Sequence, residues 1–142
     1  MPIRKSEATW EGSLREGKGT MKLGSGAWGG PYSFGTRFEE DPGTNPEELA
    51  GAAHAGCYSM AFSADLGRAG YTPTRVHTTA EVHFNKTDDG FRVTRIHLNM
   101  QATVPGIEED EFQKIAEASK KGCPISNLFT GAEITLQASL VK

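Results

Sequence analysis

The sequence predicts an α+β fold, and three features carry that prediction. Strand-like stretches come in runs separated by helices, without the regular βα alternation of a parallel sheet. One segment, from position 45 to about 69, is small or apolar through its middle and reads as a single long helix buried on most sides. No internal repeat or linker interrupts the 142 residues, which are expected to form one domain large enough to bury a core.

Ala8-Thr9-Trp10-Glu11-Gly12 and Gly19-Thr20-Met21-Lys22-Leu23 read as short strands around a glycine-containing turn. Gly24 to Pro31 reads as a loop by composition. Its glycines do not sit between a strand and a helix, so they do not make a nucleotide-binding turn. Tyr32 to Glu39 is expected to be a strand carrying Arg37. Thr44-Asn45-Pro46-Glu47 then starts the long helix with a capping side chain, a proline in the first turn and two acids at the positive end of the helix dipole. Gly70 ends it. Within it, Gly51, Ala52, Ala53, Ala55 and Gly56 remove side-chain bulk, and each interior glycine costs roughly 1 kcal/mol relative to alanine. Packing or a site must require the space.

Val76, Thr78, Ala80, Val82 and Phe84 share one face of a following strand, and Asp88-Asp89-Gly90 marks a hairpin. The return strand, about Phe91 to Val104, puts Ile96, Leu98, Met100, Ala102 and Val104 on one face. Phe91 and Val93 are out of phase with that set, which predicts a bulge near Thr94. Glu108 to Lys121 is an amphipathic helix with Phe112, Ile115 and Ala116 inward. Cys123-Pro124 opens a short helix, and Ile134, Leu136, Ala138 and Leu140 alternate along a last strand.

A net charge of −3 argues against nucleic acid or an anionic membrane as the main partner, since both reward a basic surface. The N-terminal residues lack the apolar run of a secretory signal, and no stretch approaches the ~18 apolar residues of a membrane span. A cytoplasmic protein is expected. In a reducing compartment, two cysteines are free thiols or a cycling pair sooner than a structural staple.

Those two are Cys57, in mid-helix, and Cys123, at a helix start. Free N–H groups at a helix start stabilise an anion, so local setting marks Cys123 as the more acidic thiol. Cys57 would need a nearby cation to react at neutral pH. A bland alternative stands beside this: free cysteine is among the most buried residue types and often just fills space. His54 shares a helix face with Cys57, and with Cys123 it would make a Cys/Cys/His zinc set, although no Cys-x-x-Cys pair or fourth ligand accompanies it. His77, His83 and His97 read as outward-facing strand residues with no assigned role.

Thr44-Asn45-Pro46-Glu47-Glu48-Leu49, followed by Gly51-Ala52-Ala53-His54-Ala55-Gly56-Cys57-Tyr58-Ser59-Met60, resembles the signature of the osmotically inducible protein C (OsmC) family. Gly122-Cys123-Pro124-Ile125-Ser126 resembles its second cysteine motif, and Thr36-Arg37-Phe38-Glu39 the arginine segment of the OsmC branch. The agreement covers essentially the whole chain in the expected order. It implies antiparallel sheets around a long central helix and an intertwined homodimer with two active sites at the subunit interface. It further implies a thiol-dependent peroxidase, without a cofactor or metal, that reduces organic hydroperoxides and, less efficiently, hydrogen peroxide. By the same resemblance Cys57 is the peroxidatic thiol and Cys123 the resolving one, which exchanges the roles that local setting suggests. Arg37 supplies the cation, Glu47 orients it, and a dithiol such as a dihydrolipoyl group reduces the resulting disulfide. Arg37 also separates the chain from the sister organic hydroperoxide resistance branch, whose arginine comes from an earlier part of the chain. Gly56 and Tyr58 depart from the alanine and phenylalanine expected beside the cysteine, changes that would reshape a pocket without removing the chemistry. The alternatives are a non-catalytic stress-related dimer and the Cys/His metal-binding protein.

Glu47 and Cys57 are ten residues apart, a rise of ~15 Å if both are helical. A Glu47–Arg37–Cys57 chain is hard to close within one subunit over that span. The expectation is that Arg37 and Glu47 serve the Cys57 of a partner subunit.

Overall fold

The computed structural model describes residues 2–142 and divides after Leu49 into two compact units. In the first, β1 (Ser6–Glu11), β2 (Lys18–Leu23) and β3 (Gly29–Tyr32) make an antiparallel sheet in the order β1-β2-β3. The expected loop over Gly24 to Pro31 is therefore shorter, because Gly29, Gly30 and Pro31 pair with Lys22, Met21 and Thr20. Proline is tolerated there because β3 is an edge strand.

The expected strand from Tyr32 to Glu39 is instead the short helix α1 (Phe34–Phe38). Its aromatic and β-branched residues suggest a strand, but Ser33 and Thr36 form a reciprocal capping box that nucleates a helical turn. The helix α2 (Pro46–Arg68) starts as its sequence dictates. The Asn45 side chain accepts from the Glu48 N–H at 2.7 Å, with Pro46 and Glu47 in the first turn. Asn45 also donates to the Thr36 carbonyl at 3.0 Å, tying α1 to that start.

The second unit runs from Ala50 to Lys142 and carries most of α2, which ends before Gly70 in the left-handed conformation (φ +93°). It continues through β4 (Arg75–Thr87), β5 (Gly90–Thr103), α3 (Glu109–Gly122), α4 (Pro124–Leu128) and β6 (Glu133–Leu140). β4 and β5 form the predicted hairpin. Its register steps from His83↔Arg95 to Phe84↔Val93, leaving Thr94 as the extra residue of a bulge. The resemblance implies antiparallel sheets, but β6 runs parallel to β5. The chain between them passes through α3 and α4, a crossover long enough to return a strand in the same direction.

The core of this unit follows the sequence periodicities. Tyr58, Phe62 and Leu66, four residues apart, form the buried face of α2. They pack in one cluster with Ile96, Leu98, Met100 and Ala102 of β5 and Phe112 and Ala116 of α3. Phe62 meets Phe112 edge-on at 5.4 Å, and the Tyr58 hydroxyl donates to the Ala116 carbonyl at 2.9 Å. Each large apolar side chain so buried contributes about 1.5–3 kcal/mol. Gly51 is the glycine the packing requires, since a β-carbon there would lie 3.2 Å from Val82 of β4. Gly56 faces open space, and Ala52, Ala53 and Met60 are exposed beside it. Among the described residues, no helix is long and apolar enough to cross a membrane.

Candidate active site

Two constellations emerge from the residues singled out in the sequence, one in each unit. The first is a bidentate ion pair. Arg37 lies in the last turn of α1 and donates from Nε to Glu47 Oε1 at 3.0 Å and from the terminal nitrogen to Oε2 at 2.9 Å. The fork geometry fixes the guanidinium plane as a single hydrogen bond would not. Its carbon also lies 5.3 Å from the centre of the Phe38 ring. About a third of the arginine side chain (34%) remains accessible, while Glu47 is more buried (14%). Arg37 therefore still presents positive surface, to a cleft of about 390 Å³ lined also by Trp10, Leu14, Tyr32, Phe34 and Phe38.

The second constellation is the cysteine pair. Cys57 and Cys123 are both free thiols, and their sulfurs stand 3.1 Å apart, within hydrogen-bonding reach. A disulfide needs about 2.05 Å, so closure asks for a shift of roughly 1 Å. Cys123 is fully buried, and Cys57 is partly accessible. Cys123 sits at the joint between α3 and α4, held from two sides. Its N–H donates to the Ser119 carbonyl at 2.9 Å, and its carbonyl accepts from Asn127 at 3.0 Å. Ser119 in turn donates its hydroxyl to Asp65 of α2 at 2.7 Å.

The electrostatics of Cys57 are dominated by its burial. Burial pushes the Cys57 thiol above its ordinary range, and the hydrogen bond with Cys123 adds to the rise. The Ile125 N–H acts in the opposite direction. Within this unit Cys57 is thus a thiol awaiting a cation, as its mid-helix position predicts.

His54 is fully buried one turn before Cys57. Its Nε2 lies 2.7 Å from the Ser126 hydroxyl, its ring meets Phe129 edge-on at 5.6 Å, and its Nδ1 has no partner. Burial lowers its pKa, which keeps the ring neutral. His54 Nε2 faces Ser126 rather than completing a Cys/Cys/His zinc set. Among the described residues no group of three His, Cys, Asp or Glu side chains is placed to hold a metal. Sequence reasoning missed Ser126 and the Ile125 amide. The available signal was that His54 precedes Cys57 by the same three positions that separate Cys123 from Ser126.

Two free thiols packed side by side thus lie on an α+β scaffold with two small sheets. A family model described as OsmC-like protein matches residues 39–139. The chain is 51% identical over 138 residues to Peroxiredoxin OsmC of Escherichia coli, covering 96% of each. It is 29% identical over 96 residues to the organic hydroperoxide resistance protein of Xanthomonas axonopodis pv. citri, covering 66% of each. In fold it matches an organic hydroperoxide resistance protein of Elizabethkingia anophelis at a TM-score of 0.76, with 24% identity and 99% of each chain covered. The chain belongs to the OsmC-like family.

Proposed function

We propose that this protein is a cysteine-based peroxidase that reduces organic hydroperoxides, and hydrogen peroxide less efficiently, in the cytoplasm. The observation that carries the reading is the 3.1 Å separation of two unbonded sulfurs, one of them accessible. The names of the relatives, Peroxiredoxin OsmC and organic hydroperoxide resistance protein, supply the chemistry that such a pair would serve.

In this reading the Cys57 thiolate attacks the distal peroxide oxygen. The O–O bond breaks, the alkoxide takes a proton and leaves as the alcohol, and Cys57 becomes a sulfenic acid. The Cys123 thiol condenses with it, forming the Cys57–Cys123 disulfide and releasing water. An external dithiol such as a dihydrolipoyl group then returns two electrons by exchange.

Arg37 supplies the cation, stabilising the Cys57 thiolate and the charge developing on the leaving oxygen, while Glu47 fixes the guanidinium. We place this cation across a homodimer, Arg37 and Glu47 of one subunit serving Cys57 of the other. The exposed small side chains of α2 at Ala52, Ala53 and Gly56 suit close approach by a second chain. The aromatic cleft beside Arg37 suits the organic part of a bulky hydroperoxide.

The test is steady-state consumption of cumene hydroperoxide and of hydrogen peroxide, with dihydrolipoamide or glutathione as reductant. Turnover of cumene hydroperoxide with the dithiol, lost in Cys57→Ser, is the expected result. Undiminished turnover in that variant would overturn the assignment, and none in the wild type would favour a non-catalytic dimer.

A further inference from the structure

The thiol pair has a second pair running beside it that the proposed chemistry does not use. His54 stands three residues before Cys57 on α2, and Ser126 three after Cys123 on α4. The two helical segments are therefore joined by two parallel rungs. One is the sulfur pair at 3.1 Å; the other is His54 Nε2 and the Ser126 hydroxyl at 2.7 Å.

The second rung is a costly way to fill this space. His54 is wholly buried and Ser126 is 5% exposed. Nδ1 of the ring finds no partner, although a buried polar atom left unpaired is unfavourable. An apolar residue would pack against Phe129 without that penalty. A polar contact adds direction, since it is made in one register of α4 against α2 and lost when α4 slides or turns. Five residues long and opened by a proline, α4 has few interactions of its own to hold it in place.

We propose that His54 and Ser126 are positioning residues that hold the start of α4 against α2, keeping the Cys123 sulfur against that of Cys57. Neither residue touches the reacting atoms. The role rests on the peroxidase reading only where it concerns sulfenic acid. The placement of the two thiols exists whatever oxidises the pair.

The test uses the full-length reduced protein and two variants, Ser126→Ala, which removes the rung, and His54→Gln, whose amide nitrogen can take the place of Nε2. The first readout is the pH profile of iodoacetamide alkylation at Cys57, followed by peptide mass. The second is the rate of disulfide closure by diamide, an oxidant that needs no peroxidase activity. The third is the ratio of dimedone-trapped sulfenic acid to disulfide after one equivalent of cumene hydroperoxide.

Loss of the contact, about one hydrogen bond, should slow disulfide closure by diamide about tenfold in Ser126→Ala and move the alkylation profile of Cys57. Trapped sulfenic acid should rise, while His54→Gln stays near wild type. A Ser126→Ala protein that melts earlier but alkylates and closes like wild type would reduce the rung to a structural contact and overturn the proposal. If Ser126→Ala fails to fold, His54→Leu takes its place with the same readouts. Failure of the peroxidase reading would be seen separately, as a wild-type protein that closes with diamide but ignores the hydroperoxide.

Discussion

Oxidation of the cysteine pair should raise the thermal stability of the folded chain, by an amount set by the loop it closes. Cys57 and Cys123 are 66 residues apart. Cross-linking a loop of that length removes about 15 cal/mol/K from the unfolded ensemble, or about 4 kcal/mol at 25 °C. Native-state strain subtracts from this. The sulfurs must draw together by about 1 Å from 3.1 Å, a small shift beside the 7 Å Cα separation at which bridging fails. A net gain of about 2–4 kcal/mol is expected, which for a chain of this size raises the melting temperature by roughly 7–13 °C. By linkage, folding makes the disulfide harder to reduce by the same free energy, about 40–90 mV for two electrons. The assay is calorimetry on diamide-oxidised and dithiothreitol-reduced protein at one protein concentration, with Cys57→Ser as a control that should show no difference. An oxidised form melting at or below the reduced one would refute the claim that the sulfurs sit in closing geometry.

Arg37→Gln should move the alkylation inflection of Cys57 upward by about 1–3 pH units, because an opposite charge within reach lowers a thiol's pKa by that much. An unchanged profile would remove Arg37 from the site. The sign for stability follows from the same group. Burial raises the folded-state pKa of Cys57, so its contribution is fully present below the ordinary thiol pKa and lost as pH climbs through the raised value. An Arg37→Gln protein, whose Cys57 pKa is raised further, should therefore be more sensitive to alkaline unfolding than wild type in urea titrations between pH 7 and 10. Cys123→Ser should give one rapid oxidation of Cys57 and then stall, read as a burst of hydroperoxide loss without steady turnover. Phe62→Ala should cost about 3–5 kcal/mol in urea unfolding, since its ring is fully buried against Phe112.

How far the sequence alone reached depended on how local each signal was. The α2 start was legible because Asn45, Pro46 and Glu48 act within one turn, and the Thr94 bulge because a period of two exposes a single phase error. α1 was not, because Phe34, Thr36 and Phe38 favour a strand while Ser33 and Thr36 decide for a helix through one reciprocal contact. Strand direction was hidden as well: nothing in the alternation of Ile134, Leu136 and Ala138 says whether β6 runs with or against β5. In the site, the identities of the four residues came from motif resemblance. The approach of Cys123 to Cys57 at 3.1 Å is a long-range fact that no window around position 57 contains. The same holds for the His54–Ser126 contact, across 72 positions.

The unequal burial of the two sulfurs decides the direction of the return half of a cycle. Cys123 has no accessible surface, whereas Cys57 has some. Once a disulfide joins them, an incoming thiolate meets one sulfur only, and attack follows access. The mixed disulfide must then form on Cys57, with Cys123 as the leaving group. Under the proposed function, a reductant would therefore be selected by how well it fits the approach to Cys57.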